Sequence, residues 1–300
     1  MWSSFSKKLS YNNINKRTRE REMETTKRRF EGKVTIVTAS TQGIGFSIAE
    51  RLGLEGASLV ISSRKQKNVD EAVEKVRSRG IDAIGVVCHV SNAEHRKNLI
   101  DATLKKYGHI DIVVSNAAAN PSIDNILDTK ESVLDKLWEI NVKASILLLQ
   151  AAAPHLREGS SVILISSIGG YNPQKTMAMY GVTKTALLGL TKAQQLEFPP
   201  TQISKLNSLS IKNLTNSALA VEMAPNTRVN CIAPGFVPTH FADFITRSES
   251  VRKAIEERTL LNRLGTTRDM AGVAAFLASD DAAYITGETI VVAGGIPSRL

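Results

Sequence analysis

The sequence contains few of the residues that mark disulfide-linked, metal-binding or membrane proteins. Its two cysteines, Cys88 and Cys231, lie far apart and belong to no cluster, and its five histidines follow no metal-ligand spacing. We therefore expect a reducing compartment, no disulfide framework and no metal. No apolar run approaches the roughly 18 to 20 residues that a membrane-spanning helix requires, so we also expect no membrane span.

Positive charge is concentrated at the N-terminus. The formal net charge is +9, and residues 1–29 hold nine Lys or Arg against three Glu, so this tail supplies +6 of it. The rest of the chain is nearly neutral, which argues against a nucleic-acid partner. Because the tail is polar and lacks apolar periodicity, we predict a disordered basic extension at residues 1–29, followed by one domain at residues 30–300.

The body of the chain alternates short apolar segments, rich in β-branched residues, with longer helical patterns. This alternation is typical of a parallel sheet, and near-continuous apolar strands are expected where helices cover both faces. Seven strands are predicted, at residues 33–38, 58–62, 83–88, 111–115, 161–166, 227–232 and 289–293. The predicted fold is α/β: a single doubly wound Rossmann-type domain with a seven-stranded parallel sheet.

A turn that contains Gly43 and Gly45 follows the first predicted strand and precedes a helix predicted at residues 46–54. Glycines in such a turn let the backbone approach a pyrophosphate, and the free N–H groups of the helix stabilise its charge. The spacing differs from G-x-G-x-x-G, and a glycine turn before a helix is often only a turn. We interpret this one as a dinucleotide site.

The end of the second predicted strand indicates which dinucleotide binds. An NAD site usually has an acidic residue there for the ribose 2′-hydroxyl. This chain has Ser62, Ser63, Arg64 and Lys65 instead. Because the guanidinium of Arg64 suits a 2′-phosphate, we predict NADP(H). The alternative is that Arg64 and Lys65 merely begin a solvated helix.

Tyr180 and Lys184 have the spacing of an acid/base pair. On a helix, residues i and i+4 share one face, so the phenol and the ammonium point into one site. A nearby cation favours the phenolate, so we expect Lys184 to lower the pKa of Tyr180 from about 10. Ser167 lies thirteen residues before Tyr180. By chance alone, Y-x-x-x-K occurs on many amphipathic helices, so the context of the pair decides its meaning.

Taken together, these features resemble the short-chain dehydrogenase/reductase family, from about residue 30 to residue 300 except for one insert. Five motifs occur in the family's order: the T-G-x-x-x-G-x-G turn at residues 38–45, the N-N-A-G motif at 115–118, the catalytic Asn at Asn141, the catalytic Ser, Tyr and Lys at Ser167, Tyr180 and Lys184, and the P-G-x-x-x-T loop at 234–239. The chain departs from the family at Ala39 and Ala118, which replace glycines. His89 stands where an Asp usually contacts the adenine.

The resemblance implies hydride transfer between a nicotinamide and a carbonyl carbon. Tyr180 would protonate the carbonyl oxygen, Ser167 would orient that oxygen, and Lys184 would bind the nicotinamide ribose. Asn141 would hold a water that connects Lys184 to solvent. The family's cofactor-binding positions correspond here to Thr38, Ser40, Gln42, Gly43, Ile44, Gly45, Ser63, Arg64, His89, Val90, Asn116, Ala117, Tyr180, Lys184, Pro234, Gly235, Val237 and Thr239.

A narrower resemblance is to the peroxisomal carbonyl reductases called dehydrogenase/reductase member 4 and their plant relatives. It implies an NADP(H)-dependent reductase of hydrophobic carbonyl compounds, with residues 236–269 as a mobile lid that includes Phe241, Phe244 and Ile245. One alternative is a hydroxyacyl-CoA dehydrogenase of a β-oxidation-like pathway, such as indole-3-butyric acid chain-shortening. Another is an inactive isoform that still binds intact subunits.

The two ends of the chain carry candidate address signals. Ser298, Arg299 and Leu300 resemble the S-K-L signal, so we expect binding to the peroxisomal import receptor. The N-terminal segment resembles a mitochondrial presequence in part but lacks an apolar face. Met23 begins a segment that is similar to a family N-terminus, so we hypothesise that translation normally starts there and that residues 1–22 are an extension introduced by gene prediction.

An insert at about residues 194–218 interrupts the helix that begins near Tyr180. Its Pro199 and Pro200 cannot continue a helix, and removing 25 residues would restore an uninterrupted one. It is either a retained intron or wrongly assigned exon, which we favour, or a tolerated surface loop. In the family, this helix and the one at about residues 132–155 form the subunit interface. We therefore expect a homo-oligomer, a homotetramer by the resemblance, unless the insert prevents it.

Overall fold

Seven parallel strands form the centre of the protein. The computed structural model describes residues 29–192, 219–242 and 248–298. Its strands are β1 (Val34–Val37), β2 (Ser58–Ser63), β3 (Ala83–Val87), β4 (Ile110–Ser115), β5 (Leu156–Ile165), β6 (Thr227–Pro234) and β7 (Thr289–Val292). They lie in the order β3-β2-β1-β4-β5-β6-β7. The predicted doubly wound, seven-stranded parallel sheet is confirmed.

Helices connect the strands and cover both faces of the sheet. They are α1 (Gly43–Leu54), α2 (Gln66–Arg77), α3 (Ala93–Tyr107), α4 (Glu131–Trp138), α5 (Ala144–Ala152), α6 (Ala178–Thr191), α7 (Leu219–Met223), α8 (Glu249–Glu257) and α9 (Thr267–Ala278). A π-helical turn, Glu139–Lys143, joins α4 to α5. Two 3₁₀ turns, Ile168–Gly170 and Lys175–Met177, precede α6. In the described part of the chain, no helix is long and apolar enough to cross a membrane.

Neighbouring residues of each strand pack into different halves of the core. Ile112 and Val114 of β4 join the cluster formed with α1, α2 and α9, whereas Val113 joins the cluster formed with α3, α5 and α6. Since a strand's side chains alternate between the two faces of the sheet, both sets must be apolar. This explains why the strands read as continuous apolar runs.

Arg29, the last residue of the predicted extension, forms ion pairs with the domain that follows. Arg29 pairs with the buried carboxylate of Glu55 at 2.7 Å and with Asp281 at 2.8 Å, so it belongs to the folded domain. The carboxylates of Glu55 and Asp281 hold the guanidinium of Arg29 in place. Both partners are distant in the chain, so the composition of residues 1–29 could not indicate these ion pairs. Residues 1–28 lie outside the described residues, as do the insert at 194–218 and the predicted lid residues Phe244 and Ile245.

Candidate active site

A large cavity lies where the order of the strands reverses. β1 and β4 are neighbours in the sheet, while the chain connections on their two sides run in opposite directions. Such a switch point opens a crevice at the carboxyl ends of parallel strands. The cavity has a volume of about 840 Å³, which is large enough for a dinucleotide's reactive end and a small substrate.

The N-terminus of α1 forms one wall of this cavity. Gln42 precedes the helix without a side-chain cap, and the first turn contains no acidic residue. Its N–H groups are therefore available to an anion. Gly43 has a φ of +60°, a conformation that favours glycine, and a Cβ there would lie 3.5 Å from the Thr239 methyl. These residues fit the pyrophosphate of a dinucleotide.

Most of the predicted cofactor-binding residues line the cavity. Those that do are Gln42, Gly43, Ile44, Gly45, Ser63, Arg64, His89, Val90, Asn116, Ala117, Tyr180, Lys184, Pro234, Gly235, Val237 and Thr239. Tyr180 and Lys184 lie on α6. The others lie at or after the carboxyl ends of β1, β2, β3, β4 and β6, which the parallel topology brings to one edge of the sheet. Their contact with a cofactor stays a prediction.

Thr38 and Ser40 are buried below the cavity and do not line it. The Thr38 hydroxyl accepts hydrogen bonds from the backbone N–H groups of Asn116 (3.0 Å) and Ala117 (3.1 Å). The Ser40 hydroxyl accepts one from the N–H of Ser62 at 3.0 Å. In this structure, the two hydroxyls join the turn after β1 to β4 and β2, so they support the cofactor site from behind. The motif identified both positions without indicating which way their side chains point.

Ser167, Tyr180 and Lys184 converge on one side of the cavity. Ser167 precedes the 3₁₀ turn after β5, and its hydroxyl accepts a hydrogen bond from the N–H of Gly169 at 3.0 Å. Its own proton is therefore free for another acceptor. A side-chain hydrogen bond joins Ser167 to Tyr180. The buried ammonium of Lys184 donates to the carbonyl of Ile165 at 2.8 Å.

Close packing holds α6 against the turn that carries Ser167. A Cβ on Gly170 would lie 2.9 Å from the carbonyl carbon and oxygen of Lys184, and one on Gly181 would lie 2.7 Å from the carbonyl oxygen of Gly169. The hydroxyl of Ser166 donates to the carbonyl of Lys184 at 2.8 Å. Glycine is required at both contacts because the two backbones touch.

The expected lowering of the Tyr180 pKa is not found. Burial raises the pKa of Tyr180 well above its ordinary value, and the hydrogen bond to Ser167 opposes this only in part. The Lys184 ammonium lies 5.7 Å from the centre of the Tyr180 ring and donates to a carbonyl instead. Burial also lowers the pKa of Lys184, to about 8. Loss of water disfavours both charged forms, and sequence spacing carries no information on burial.

Asn141 lies in the π-helical turn, fully buried and outside the cavity lining. Its side-chain oxygen accepts from the N–H of Ala119 at 2.7 Å, while its amide nitrogen donates to the carbonyl of Ala119 (2.9 Å) and to the hydroxyl of Thr183 (3.0 Å). Asn141 thus joins the loop after β4 to α6. Its role in a proton relay stays a prediction.

Several residues that line the cavity were not identified as site residues from the sequence. They include Asn120, Lys136, Gln174 and Met177. Gln174 and Met177 lie between Ser167 and Tyr180 in the chain, so their proximity to both was a usable signal. Lys136 had no such signal, because a lysine on an amphipathic helix normally indicates a solvated face. Phe241, named from the sequence, lies with its ring 5.8 Å from that of Tyr180.

Two family models match consecutive parts of the chain. Residues 33–210 match the model described as short chain dehydrogenase, and residues 209–297 match the model described as enoyl-(acyl carrier protein) reductase. Together they include every strand of the sheet and every predicted site residue.

Relatives and a solved structure are similar over most of the chain. Tropinone reductase-like 3 of Erythroxylum coca is 70% identical over 91% of this chain and 96% of its own length. Human dehydrogenase/reductase SDR family member 4 is 46% identical over 89% of this chain and 88% of its own, which confirms the narrower resemblance. The structure of a 7 alpha-hydroxysteroid dehydrogenase complexed with NADH and 7-oxo glycochenodeoxycholic acid has a TM-score of 0.78 and 26% identity, covering 92% of this chain and 98% of that one.

Proposed function

This chain belongs to the short-chain dehydrogenase/reductase family, and from that premise we propose that it is a peroxisomal, NADP(H)-dependent enzyme that interconverts a hydrophobic carbonyl compound and its alcohol. The observation that carries the proposal is the convergence of Ser167, Tyr180 and Lys184 on a cavity that is also lined by an uncapped helix N-terminus. A proton donor and an anion site thus share one chamber.

The bound nicotinamide supplies or accepts the hydride. Tyr180 is the acid in this proposal, because burial keeps its phenol protonated and ready to donate to a carbonyl oxygen. The hydroxyl of Ser167, which forms a side-chain hydrogen bond with Tyr180, would also orient and stabilise that same oxygen. Lys184 has a pKa of about 8, so near neutral pH it holds a positive charge beneath Tyr180. That charge would stabilise the phenolate left after proton donation.

The charge at the end of β2 supports NADP(H). Arg64 is exposed and lines the cavity, and no carboxylate replaces it between Ser62 and Lys65. Among residues 29–192, 219–242 and 248–298, no carboxylate pairs with Arg64. A guanidinium in this position favours a 2′-phosphate over a 2′-hydroxyl.

The apolar wall beside Tyr180 supports a hydrophobic substrate. The ring of Phe241 is tilted against that of Tyr180 and is 42% exposed, and Met177 and Phe236 also line the cavity. Burying such surfaces contributes roughly 25 cal/mol per Å². An apolar ketone would therefore gain affinity beside the acid that protonates it.

A purified-protein assay tests this function. The protein is mixed with NADPH or NADH and a series of ketones and aldehydes of increasing apolar area, and cofactor oxidation is followed by absorbance. We expect NADPH to be preferred and kcat/KM to rise with apolar area. Oxidation of 3-hydroxyacyl-CoA with NAD alone would support the hydroxyacyl-CoA alternative, and cofactor binding without turnover would support the inactive isoform.

The peroxisomal part of the proposal depends on Ser298, Arg299 and Leu300, the last two of which lie outside the described residues. Fluorescent protein fused in front of the chain should co-localise with a peroxisomal marker. Removing the tripeptide should disperse it, and unchanged localisation would reject this signal.

We also propose a homo-oligomer whose assembly is weakened by residues 194–218. The described pieces on either side, α6 and α7, pack into the same core cluster, which supports joining them. A version without residues 194–218 should melt at a higher temperature and elute as a larger oligomer than the full chain. Equal melting temperatures and equal oligomers would contradict this.

A further inference from the structure

Arg64 and His89 emerge side by side at the rim of the cavity. Arg64 directly follows Ser63, and His89 directly follows Cys88. The N–H of Cys88 donates a hydrogen bond to the carbonyl of Ser63 at 2.9 Å, so the two strand ends are neighbours. Adjacent strands lie about 4.8 Å apart. The sheet itself therefore places the guanidinium of Arg64 and the imidazole of His89 within reach of a single small anion.

A third cation comes from another element of the fold. Lys136 lies on α4, in the exposed part of that helix, and lines the same cavity. It is close enough to His89 to interact with it electrostatically. Within the described part of the chain, neither Arg64 nor Lys136 forms an ion pair with a carboxylate. Two positive charges, one from an arginine and one from a lysine, thus face a histidine without any compensating negative charge.

His89 is held in place and is sensitive to these charges. Its ring Nδ1 lies 2.8 Å from the hydroxyl of Ser91, and its backbone N–H donates to the ring of His95 at 3.1 Å. Burial lowers the pKa of His89, and the positive charges of Arg64, His95 and Lys136 lower it further. Near neutral pH, the imidazole is therefore mainly uncharged until a negative charge arrives.

We propose that Arg64, Lys136 and His89 together bind the 2′-phosphate of NADP(H), and that His89 takes up a proton as this phosphate binds. The inference rests on the proposed NADP(H) function and adds two groups to it. A phosphate carries nearly two negative charges, which oppose the positive charges that, together with burial, lower the pKa of His89. Proton uptake then makes NADP(H) binding strengthen as the pH falls from about 8 towards 6.

Calorimetric titration of NADP⁺ and NAD⁺ into the full chain tests the contribution of Lys136. In Lys136→Gln, we expect the Kd for NADP⁺ to rise roughly tenfold, with the Kd for NAD⁺ changing less than about twofold. The matched control is Lys130→Gln, an exposed lysine near the start of the same helix that does not line the cavity. It should leave both constants unchanged. Equal losses for NADP⁺ and NAD⁺ in Lys136→Gln would overturn the assignment, because they would put Lys136 on the pyrophosphate.

Titration in buffers of different ionisation enthalpy counts the protons that His89 takes up. The wild-type protein should take up more protons with NADP⁺ than His89→Asn does, and its Kd for NADP⁺ should improve relative to that variant by roughly three- to tenfold between pH 8 and pH 6. The phosphate's own titration is common to both proteins and cancels. Retained NAD⁺ binding shows that the variant is folded.

The outcomes separate the inference from the function on which it rests. If the wild-type protein binds NADP⁺ no better than NAD⁺, the NADP(H) function fails. If it prefers NADP⁺ but Lys136→Gln keeps that preference, or His89→Asn keeps the proton count, then the inference fails and Arg64 alone carries the selectivity.

Discussion

The two ends of the cavity are built on opposite principles. The proposed catalytic end is formed by Ser167, Tyr180 and Lys184. Tyr180 and Lys184 are buried, Ser167 is partly buried, and the side chains of Ser167 and Lys184 form hydrogen bonds with backbone groups. The charged end, formed by Arg64, His89 and Lys136, is exposed or half-buried and holds cations without carboxylate partners among the described residues. At the first end, burial shifts the pKa values of Tyr180 and Lys184. At the second end, the positive charges of Arg64 and Lys136 would attract the phosphate of the cofactor.

The largest expected effect is the loss of the acid at the catalytic end. Tyr180→Phe should lower kcat by roughly 10³-fold, within the range for removing a general acid. Binding of NADP⁺ should weaken far less than kcat falls, because the variant loses one predicted contact with the cofactor while the charged end is untouched. Steady-state kinetics and calorimetry on the same preparation measure the two effects. If affinity falls as much as kcat, the two ends are not independent.

The next effect is a pH-dependent stability that originates at Lys184. Burial lowers the pKa of Lys184 to about 8, while the unfolded chain has a lysine pKa of about 10.4. Between these values, the unfolded state binds more protons, so the free energy of unfolding contributed by Lys184 rises with pH. Burial of Tyr180 acts in the opposite direction only above about pH 10, since it raises that pKa.

Comparison with Lys184→Met isolates the contribution of Lys184 to the pH dependence of the free energy of unfolding, because methionine does not titrate. Between pH 7.5 and 9.5, the wild-type protein should gain about 2 kcal/mol relative to the variant. Urea unfolding at the two pH values measures the difference. Parallel changes in both proteins would show that Lys184 is better solvated than its burial indicates.

Close backbone packing at the catalytic end gives a third expected effect. In Gly170→Ala, the new Cβ would lie 2.9 Å from the Lys184 carbonyl group, so α6 must shift. We expect a loss of about 2 kcal/mol in stability and a lower kcat. The matched control is Gly189→Ala, within α6 itself, where a Cβ meets nothing within 4 Å. That variant should gain up to about 1 kcal/mol. Equal effects in thermal unfolding would contradict the packing argument.

The fold and the placement of Tyr180 and Lys184 in one cavity could be predicted from the sequence because both depend on local signals. Apolar runs marked all seven strands, and the i, i+4 spacing placed Tyr180 and Lys184 on one face of α6. The residue at which β5 begins was harder to predict from the sequence. This strand begins at Leu156, five residues before the predicted 161, because Leu156 pairs with Ile110 in β4 although the next residues are polar.

The properties that sequence could not supply depend on the three-dimensional surroundings. The direction of the Tyr180 pKa follows from burial against residues that are distant in the chain. The partnership of Lys136 with His89 joins residues 47 positions apart on a helix and a strand end, with no motif between them. The burial of a group and the charges around it depend on residues from many parts of the chain. They can therefore be determined only once the three-dimensional structure is known.

The smallest expected effect tests backbone strain at the cofactor wall. Ala39 replaces a family glycine and adopts a φ of 50°, a left-handed conformation that costs a non-glycine residue about 1 to 2 kcal/mol. Ala39→Gly removes this cost but gives the unfolded chain more freedom, worth about 0.4 to 1 kcal/mol. The net gain should be about 0.5 kcal/mol.

Ala102→Gly, in the interior of α3, is the matched control and should lose about 1 kcal/mol. Chemical unfolding of both variants measures the contrast. Because Ala39 lines the cavity and its carbonyl accepts a hydrogen bond from the Asn116 amide at 3.2 Å, its strained conformation fixes the turn in front of α1. A stability loss in Ala39→Gly would mean that its methyl group contributes packing that exceeds the strain. The turn that contains Ala39 would then be held by close packing, as the backbone is at the proposed catalytic end.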